Sequence, residues 1–279
     1  MTMFDLSGRV AMVTGASRGL GRADALALAA AGADVILTDL LVESDPAIEE
    51  TAARSDSVMA QVMASQGGVH TEATAAEIRE LGRRSVAIQL DVTDRQRVRE
   101  VFDQVVEDYG SLDILVNSAG VSDHLGQIMD LSPELWHRDL EVNLTGAFNC
   151  TQAAWPHMRM RNYGRLIYKS TVSALQGGFG HASVATTGAG VLGLMRSMAL
   201  EGARHRITSN AVVAGAIETE GFRTSPPSTV DRMVLRTATR ELGRPEDIAA
   251  AVCYLASTEA AYVTGVALPV AGGLDLFTF

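Results

Sequence analysis

The sequence predicts an α/β protein built on a doubly wound parallel sheet of seven strands. Short β-branched and apolar runs alternate with longer helical patterns along the whole chain, which is typical of strand–helix–strand units. The runs are continuous rather than alternating in polarity, as expected when helices cover both faces of the sheet. The chain has 279 residues and is 47% hydrophobic, so it can bury one large core. We therefore expect a single domain over residues 1–279.

The elements can be assigned in order along the chain. The expected strands are Arg9–Thr14, Asp34–Thr38, Ser85–Leu90, Asp113–Asn117, Arg165–Lys169, Ile207–Val213 and Ala267–Val270. The expected helices include Arg22–Ala31, Arg95–Tyr109, Pro133–Arg161 and Pro245–Ala256. Gly32 follows the first of these helices and is expected to cap its C-terminus.

A glycine-rich loop follows the first strand. That strand leads directly into Gly15-Ala-Ser-Arg-Gly19-Leu-Gly21 and then into a helical pattern. Glycines let the backbone turn sharply and approach a pyrophosphate, whose charge is stabilised by amides and by the positive end of the helix. An acidic residue also ends the second strand. This context predicts a dinucleotide site in a Rossmann-type fold.

The acidic residue, Asp39, indicates which dinucleotide is bound. A carboxylate there can accept hydrogen bonds from the adenosine ribose and would repel a 2′-phosphate, which favours NAD(H) over NADP(H). Arg18 argues in the opposite direction, because a guanidinium in the loop can reach a 2′-phosphate. We favour NAD(H), because a carboxylate in direct ribose contact should outweigh a flexible cation.

The connection after Asp39 is longer than this architecture requires. Glu72–Leu81 already supplies the crossover helix, so about residues 41–69 form an insertion. Its Ala- and Ser-rich part, Asp45–Gln66, predicts an extra short helix. Two interpretations stay open. The insertion is either a tolerated surface segment or a flap near the adenosine end of the cofactor.

Composition argues against several classes of function. Lys and Arg number 23 against 33 Asp and Glu, a formal net charge of −10, so nucleic acid and anionic membranes are poor partners. Cys150 and Cys253 are too few for a disulfide framework or a thiolate metal site, and no metal site is predicted. The start of the chain shows no secretory signal, and no apolar stretch reaches bilayer length. We expect a soluble, cytoplasmic protein.

With the glycine loop in place, nearly the whole chain resembles the short-chain dehydrogenase/reductase family. The matching segments are Leu90-Asp91-Val92, Asn117-Ser-Ala-Gly120, Asn143 in Val-Asn-Leu-Thr-Gly, Ala214-Gly215 with Ile217 and Thr219, Tyr262-Val-Thr-Gly265, and Gly272-Gly273. Residues 154–167 are similar to the dehydrogenase part of multifunctional β-oxidation enzymes, and the long connection after Asp39 is similar to that of long-insert members. The resemblance implies a small-molecule substrate and a homo-oligomer, a dimer or tetramer, or an assembly with an active relative.

The resemblance also implies a set of cofactor-binding residues. These are Gly15, Ser17, Arg18, Gly19, Leu20, Asp39, Asp91, Val92, Asn117, Ala119, Gly120, Gly215, Ile217 and Thr219.

The resemblance fails at the catalytic pair. In the family a Ser orients the substrate oxygen, a Tyr exchanges its proton, and a Lys binds the nicotinamide ribose and lowers the Tyr pKa, while an Asn holds a water. Aligning Ala189–Leu194 places Val184 at the Tyr, Gly188 at the Lys and Thr171 at the Ser. Thr171 keeps a hydroxyl, and Asn143 is retained. No Tyr-x-x-x-Lys occurs anywhere, since Lys169 is the only lysine.

Other residues are candidates for the missing proton chemistry. Lys169 is expected to share a face with Thr171 by the strand period of two and to point toward the nicotinamide; the alternative is a buried lysine paired elsewhere. His181 and His124 lie on loops that face substrate in the family and titrate near neutrality; the alternative is an exposed loop histidine. Tyr163 is expected to be a packing residue.

Three interpretations of function follow. The chain is an NAD-dependent oxidoreductase with an altered active site for a hydroxyl or carbonyl substrate, using Thr171, Asn143 and either His181 or Lys169. Alternatively, it is a catalytically silent NAD-binding subunit, or a non-redox enzyme of dehydration or isomerisation on this scaffold. Glycines at 188, 190 and 193 in the helix over Ala182–His205 predict either subunit packing or a roomier pocket where Tyr and Lys would stand.

Overall fold

A parallel sheet runs through the centre of the structure, a computed structural model that describes residues 4–122, 126–223 and 226–276. Its strands are β1 (Val10–Thr14), β2 (Asp34–Asp39), β3 (Ser85–Gln89), β4 (Ile114–Asn117), β5 (Gly164–Thr171), β6 (Ile207–Ala214) and β7 (Ala267–Val270). The strand order is β3-β2-β1-β4-β5-β6-β7, and every pairing is parallel. The predicted fold class is confirmed, and the order reverses between β1 and β4, where ligands bind in such sheets.

Helices connect the strands and cover the sheet. They are α1 (Gly19–Ala30), α2 (Ile48–Arg54), α3 (Val58–Ser65), α4 (Thr71–Glu80), α5 (Arg95–Tyr109), α6 (Pro133–Asp139), α7 (Gly146–Arg161), α8 (Ser173–Gln176), α9 (Ala182–Gly202), α10 (Glu220–Arg223), α11 (Pro227–Arg236) and α12 (Pro245–Ala256). Gly32 follows α1 with a φ of +110°, which agrees with its expected place at the helix end.

Two apolar clusters lie on opposite faces of the sheet. One joins the sheet to α5, α7 and α9 and includes Phe102, Cys150 and Met195. The other joins it to α1, α4 and α12 and includes Leu28 and Ile248. Strands between these layers are buried on both faces, which explains their continuous apolar sequence.

Some predicted boundaries differ from the observed ones. The single helix expected over Pro133–Arg161 is interrupted by a π-helical turn, Leu140–Thr145, between α6 and α7. Such a turn widens the backbone locally and often marks a functional position. Strand β5 runs to Thr171 rather than ending at Lys169, because its last residues still pair with β6.

The insertion forms two short helices rather than the one that was expected. Asp56, with a φ of +52°, ends the first, and Ser57 starts the second by accepting a hydrogen bond from the Ala60 amide at 3.1 Å. The insertion has a small apolar cluster of its own, made of Leu41, Ala52, Ala60, Met63 and Val69. Its two ends meet where the Thr71 hydroxyl donates to the Leu41 carbonyl at 2.8 Å.

In the described residues, no helix has both the length and the apolar character needed to cross a bilayer.

Candidate active site

The glycine loop lies at the switch point, against the loop that follows β4. Gly15 has a φ of +66°, and a Cβ added to it would lie 2.6 Å from Ala119 Cα. A Cβ on Gly21 would overlap the Gly15 carbonyl oxygen. The Thr14 hydroxyl accepts hydrogen bonds from the Ser118 and Ala119 amides, both at 3.1 Å. Only glycine fits at these two positions, so the backbone itself forms the floor of the predicted pyrophosphate site.

The N-terminus of α1 opens onto this loop. Arg18 precedes the helix in an extended conformation, and its side chain makes no capping hydrogen bond to the first turn. Instead its guanidinium lies 3.3 Å from the Ser17 hydroxyl. Helix-end amides that no side chain caps are suited to an anion, and so the residues present fit a dinucleotide pyrophosphate.

Asp39 joins the loop to the insertion. Its two carboxylate oxygens accept hydrogen bonds from the Ser17 amide at 3.0 Å and from the Leu41 amide at 3.1 Å. The carboxylate is therefore fixed at the carboxyl end of β2, beside the glycine loop. A carboxylate oxygen has more than one lone pair, so each can still accept from a ribose hydroxyl.

The remaining predicted adenosine-side residues end the neighbouring strands. Asp91 accepts hydrogen bonds from the Thr93 amide and hydroxyl at 2.8 and 2.7 Å. The Val92 carbonyl accepts from Asn149 at 3.0 Å. Asn117 is buried, and its Oδ1 atom has no hydrogen-bond partner. A buried, unpaired acceptor at the end of β4 is compatible with a ligand donor at this point.

The segment after β6 returns to the glycine loop. A Cβ on Gly215 would lie 2.6 Å from Ala271 Cα, so Gly215 permits close contact with the end of β7. Ile217 forms an isolated bridge with Gly243. Thr219 lies near the loop, since its methyl group is 3.6 Å from a Cβ placed on Gly19. Residues assigned to the pyrophosphate and to the nicotinamide end are thus neighbours.

Asn143 lies in the π-helical turn, and its side chain is fully engaged. Its Oδ1 accepts from the Val121 amide at 2.7 Å, while its Nδ2 donates to the Val121 carbonyl at 2.9 Å. The same Nδ2 lies 3.5 Å from the Thr187 hydroxyl on α9. Asn143 therefore connects the π-helical turn to the loop after β4 and to α9.

A chain of polar side chains begins at Thr171. The Thr171 hydroxyl lies 3.4 Å from the Ser173 hydroxyl, which in turn lies 3.1 Å from Nδ1 of His181. All three side chains are partly buried. The sequence predicts roles for Thr171 and His181 separately but none for Ser173. Its position two residues after Thr171, where the strand gives way to α8, was the available signal. His124, the other histidine candidate, lies outside the described residues.

The expectation of a roomier pocket at Gly188 is wrong. A Cβ on Gly188 would lie 2.9 Å from Ala174 Cβ and 3.1 Å from the Ser170 hydroxyl. The Ser170 hydroxyl also donates to the Gly188 carbonyl at 3.2 Å. Helix α8 packs against α9 here, and Ala174 and Ser170 occupy the space into which a side chain at position 188 would extend. Gly190 likewise contacts a neighbour, because its added Cβ would lie 2.9 Å from Leu144.

The expected orientation of Lys169 toward the nicotinamide is also wrong. Its amine lies 2.8 Å from an Asp24 carboxylate oxygen on α1, on the sheet face opposite α9. Burial lowers the pKa of Lys169 and raises the pKa of Asp24, while each charge partly offsets the shift in the other. This arrangement agrees with the other interpretation of Lys169, a buried lysine whose amine is paired away from the cofactor. The period of two fails because β5 turns into α8 immediately after Thr171.

The two nearby tyrosines do not replace the missing acid. Tyr168 is fully buried, and its hydroxyl lies 2.9 Å from the Thr151 hydroxyl. Burial raises the Tyr168 pKa well above its usual value. Tyr163 packs between the guanidinium groups of Arg9 and Arg165, at 3.8 and 4.5 Å from its ring centre. Both are structural residues.

The insertion reaches the site from the adenosine side. The His70 amide donates to the Ser17 carbonyl at 3.2 Å. On the other side, Arg138 of α6 donates to the Asp56 carbonyl at 2.6 Å. A Cβ on Gly221 of α10 would lie 3.2 Å from Met59. The insertion therefore extends from the glycine loop to segments on the predicted substrate side.

Known proteins match the chain over almost all of its length. The family described as enoyl-(acyl carrier protein) reductase matches residues 59–275. The chain is 33% identical to 3-oxoacyl-(acyl-carrier-protein) reductase FabG of Thermotoga maritima over 270 residues, which cover 96% of this chain and 98% of that protein. The chain belongs to the short-chain dehydrogenase/reductase family. It is an oxidoreductase-family protein, and members of this family bind nicotinamide cofactors.

Other proteins similar to this chain are described as dehydrogenases. It is 36% identical to L-rhamnose 1-dehydrogenase (NAD(P)(+)) of a Sphingomonas species over 272 residues, covering 96% of this chain and 97% of that protein. A solved structure provisionally described as a gluconate dehydrogenase of Agrobacterium tumefaciens has a TM-score of 0.84 at 29% identity, with full coverage of both chains. One described as a short-chain alcohol dehydrogenase of Sinorhizobium meliloti has a TM-score of 0.82 at 33% identity and 98% coverage of both.

Proposed function

We propose that the chain is an NAD(H)-binding oxidoreductase with an altered active site, acting on a hydroxyl or carbonyl substrate in the cytoplasm. The observation that carries this proposal is a contrast between the two ends of the site. The glycine loop, the open end of α1 and the fixed Asp39 carboxylate suit a dinucleotide, whereas Ala174 lies against Gly188, the residue that the sequence aligns with the family's lysine.

The chain's own residues define what such a site can do. When bound, the nicotinamide would supply or accept the hydride. Thr171 presents a hydroxyl at the end of β5 and can orient the substrate oxygen. Asn143 holds the Val121 backbone, and so fixes the loop beside the glycine floor. Without a cation at Gly188, binding at the ribose of the nicotinamide should be weaker than in relatives that have one.

Cofactor choice tests the role of Asp39. We expect NADH to bind more tightly than NADPH, because the carboxylate repels the 2′-phosphate. Asp39→Asn removes that charge and should raise the affinity for NADPH relative to NADH by roughly tenfold, equal to about 1.4 kcal/mol. Calorimetric titration of both cofactors measures the ratio. Glu107→Gln on α5 removes the same charge from an exposed site and should leave the ratio unchanged. Tighter NADPH binding by the wild type would contradict the preference.

Single-turnover measurements with NADH and a panel of ketones test the reaction itself. We expect the absorbance of NADH to fall slowly, since the family's proton donor is missing, and Thr171→Ala to abolish the loss. General acid–base catalysis contributes roughly 10²–10⁴ in rate, which sets the expected deficit. A second candidate is a catalytically silent NAD-binding subunit, which the filled lysine position favours. Tight NADH binding without any absorbance loss would support that candidate instead.

We also propose a homo-oligomer. Phe148 on α7 is 41% exposed and Leu200 on α9 is 83% exposed, and large apolar side chains at a surface favour association. Sedimentation equilibrium of the purified chain should give a dimer or tetramer, and a monomer at micromolar concentration would contradict this.

A further inference from the structure

We propose that Ser173 and His181 form a proton relay that replaces the missing tyrosine, with Ser173 exchanging a proton with the substrate oxygen and His181 holding it. This inference rests on the proposed oxidoreductase function and gives it a route for the proton. It assigns a role to Ser173, which matches none of the family motifs identified in the sequence.

The geometry supplies a continuous path. His181 precedes α9 and lies one helical turn before Val184, the residue at the family's tyrosine position. Its Nδ1 lies 3.1 Å from the Ser173 hydroxyl, and that hydroxyl lies 3.4 Å from the Thr171 hydroxyl. The path therefore begins at the residue expected to orient the substrate and ends at the one side chain in it that titrates near neutrality.

Backbone contacts hold the histidine in this position. His181 pairs with Gly126 in an isolated bridge, and its amide donates to the Gly178 carbonyl at 3.1 Å. A Cβ on Gly178 would lie 3.0 Å from the imidazole Cγ, so the segment of residues 177–180 that precedes His181 lies against the ring. This close packing restricts the ring to a small range of orientations.

The described segments that flank His181 along the chain carry no charged side chain. Residues 173–180, which include α8, contain no titratable side chain, and neither do residues 182–195 of α9. On α6, Arg138 and Asp139 pair with each other at 2.7 Å. Burial lowers the pKa of His181 below its usual value of 6.5. Burial thus favours the neutral imidazole, which can accept a proton through Nδ1.

The step balances in the direction of alcohol oxidation. The substrate carbon loses a hydride to the oxidised nicotinamide, and the C–O bond becomes a carbonyl. The hydroxyl proton passes to the Ser173 oxygen while the Ser173 proton moves to Nδ1 of His181. The half-buried imidazolium then releases its proton to solvent, and reduction runs the same steps backward.

Nitrogen-15 NMR of histidine-labelled protein tests the relay without requiring turnover. The relay requires neutral His181 to carry its proton on Nε2, with Nδ1 accepting from Ser173. We expect the Nε2–H tautomer in the wild type and a changed Nδ1 shift in Ser173→Ala. A proton on Nδ1, or no response to Ser173→Ala, would overturn the proposal.

The pH dependence of single-turnover alcohol oxidation gives the second test. The wild-type rate should rise with pH through an inflection below 6.5 and then level off. His181→Gln keeps a polar side chain but cannot titrate, so it should lose the inflection and roughly 10²-fold in rate. His205→Gln, at a partly exposed histidine beyond the opposite end of α9, is the matched control and should behave as wild type.

The outcomes separate the two proposals. A wild type that binds cofactor but never transfers hydride refutes the oxidoreductase function. A wild type that is active, with His181→Gln equally active over the same pH range, refutes the relay and leaves the function standing.

Discussion

Gly188 and Gly193 lie on the same helix but in different surroundings. An added Cβ on Gly188 meets Ala174 at 2.9 Å, whereas one on Gly193 meets nothing within 4 Å. In helix interiors alanine is favoured over glycine by about 1 kcal/mol, while overpacking costs about 1–3 kcal/mol. The net effect of Gly188→Ala should therefore be to lower the free energy of unfolding by up to about 2 kcal/mol. Gly193→Ala should raise it by up to about 1 kcal/mol.

Urea denaturation of both variants measures the difference, with size-exclusion chromatography as a check on assembly. Equal effects of the two substitutions would show that Ala174 does not press on Gly188. A loss of stability in Gly193→Ala together with a smaller assembly would place that residue at a subunit contact.

Restoring the family's pair at Val184 and Gly188 is expected to fail as a simple double substitution. Val184 is only partly buried, but a side chain at position 188 meets Ala174 and the Ser170 hydroxyl. Adding Ala174→Gly removes the nearer of these atoms. The triple variant should therefore show more ketone reduction than the double variant, by roughly tenfold or more, in single-turnover assays with NADH. Equal activity in the two variants would mean that α8 shifts readily to make room for a lysine at position 188.

At the scale of elements, the buried ion pair between Lys169 and Asp24 connects β5 to α1. The lysine side chain is 12% exposed and the aspartate side chain is fully buried. Removing one partner of such a pair leaves an uncompensated charge, so Lys169→Met should lower the free energy of unfolding by about 3–5 kcal/mol. Adding Asp24→Leu should recover most of that loss.

Cofactor titration distinguishes a structural from a catalytic lysine. The folded Asp24→Leu and Lys169→Met double variant should bind NADH as the wild type does, because the pair faces away from α9. Loss of NADH binding in a stable double variant would indicate that Lys169 contributes to cofactor binding.

The elements themselves were largely predictable from the sequence. The strand Ala267–Val270 and the helices Arg95–Tyr109 and Pro245–Ala256 match their predicted ends, because Asp94, Pro245 and Gly110 mark boundaries by local chemistry. Side-chain direction at the end of β5 was not predictable, because it depends on where α8 starts. The close contact between Gly188 and Ala174 was also not predictable, because these residues lie 14 positions apart in the chain.

At the scale of the whole molecule, the insertion links the two halves of the sheet. It follows β2 but contacts α6, which follows β4, and α10, which follows β6. The contact with α6 is made by Arg138, which donates to the Asp56 carbonyl of the insertion. Arg138 also pairs with the buried Asp139, and Asp139 accepts a hydrogen bond from Ser183 at 2.5 Å. The Arg138 guanidinium therefore bonds to the insertion and to Asp139 of α6, and Asp139 connects it to α9.

Two substitutions at Arg138 separate these roles. Arg138→Lys keeps a charge for Asp139 but loses the fork of donors, so hydrogen exchange over residues 48–65 should quicken while global stability falls little. Arg138→Met should also unfold more easily, by about 3–5 kcal/mol, because Asp139 is left buried and unpaired. Unchanged exchange in both variants would show that the insertion is held by other contacts.

The hydrogen bond from Thr71 to the Leu41 carbonyl closes the insertion at its base. The chain therefore leaves the domain and returns to it at nearly the same point, and the two helices between carry their own apolar cluster. Because this cluster is separate from the two clusters on the sheet, we expect the domain to fold without the segment even though its contacts with α6 and α10 would be lost. Replacing residues 43–68 with a short glycine-serine turn should leave a cooperative thermal transition intact, and the excised protein would show what the bare scaffold binds.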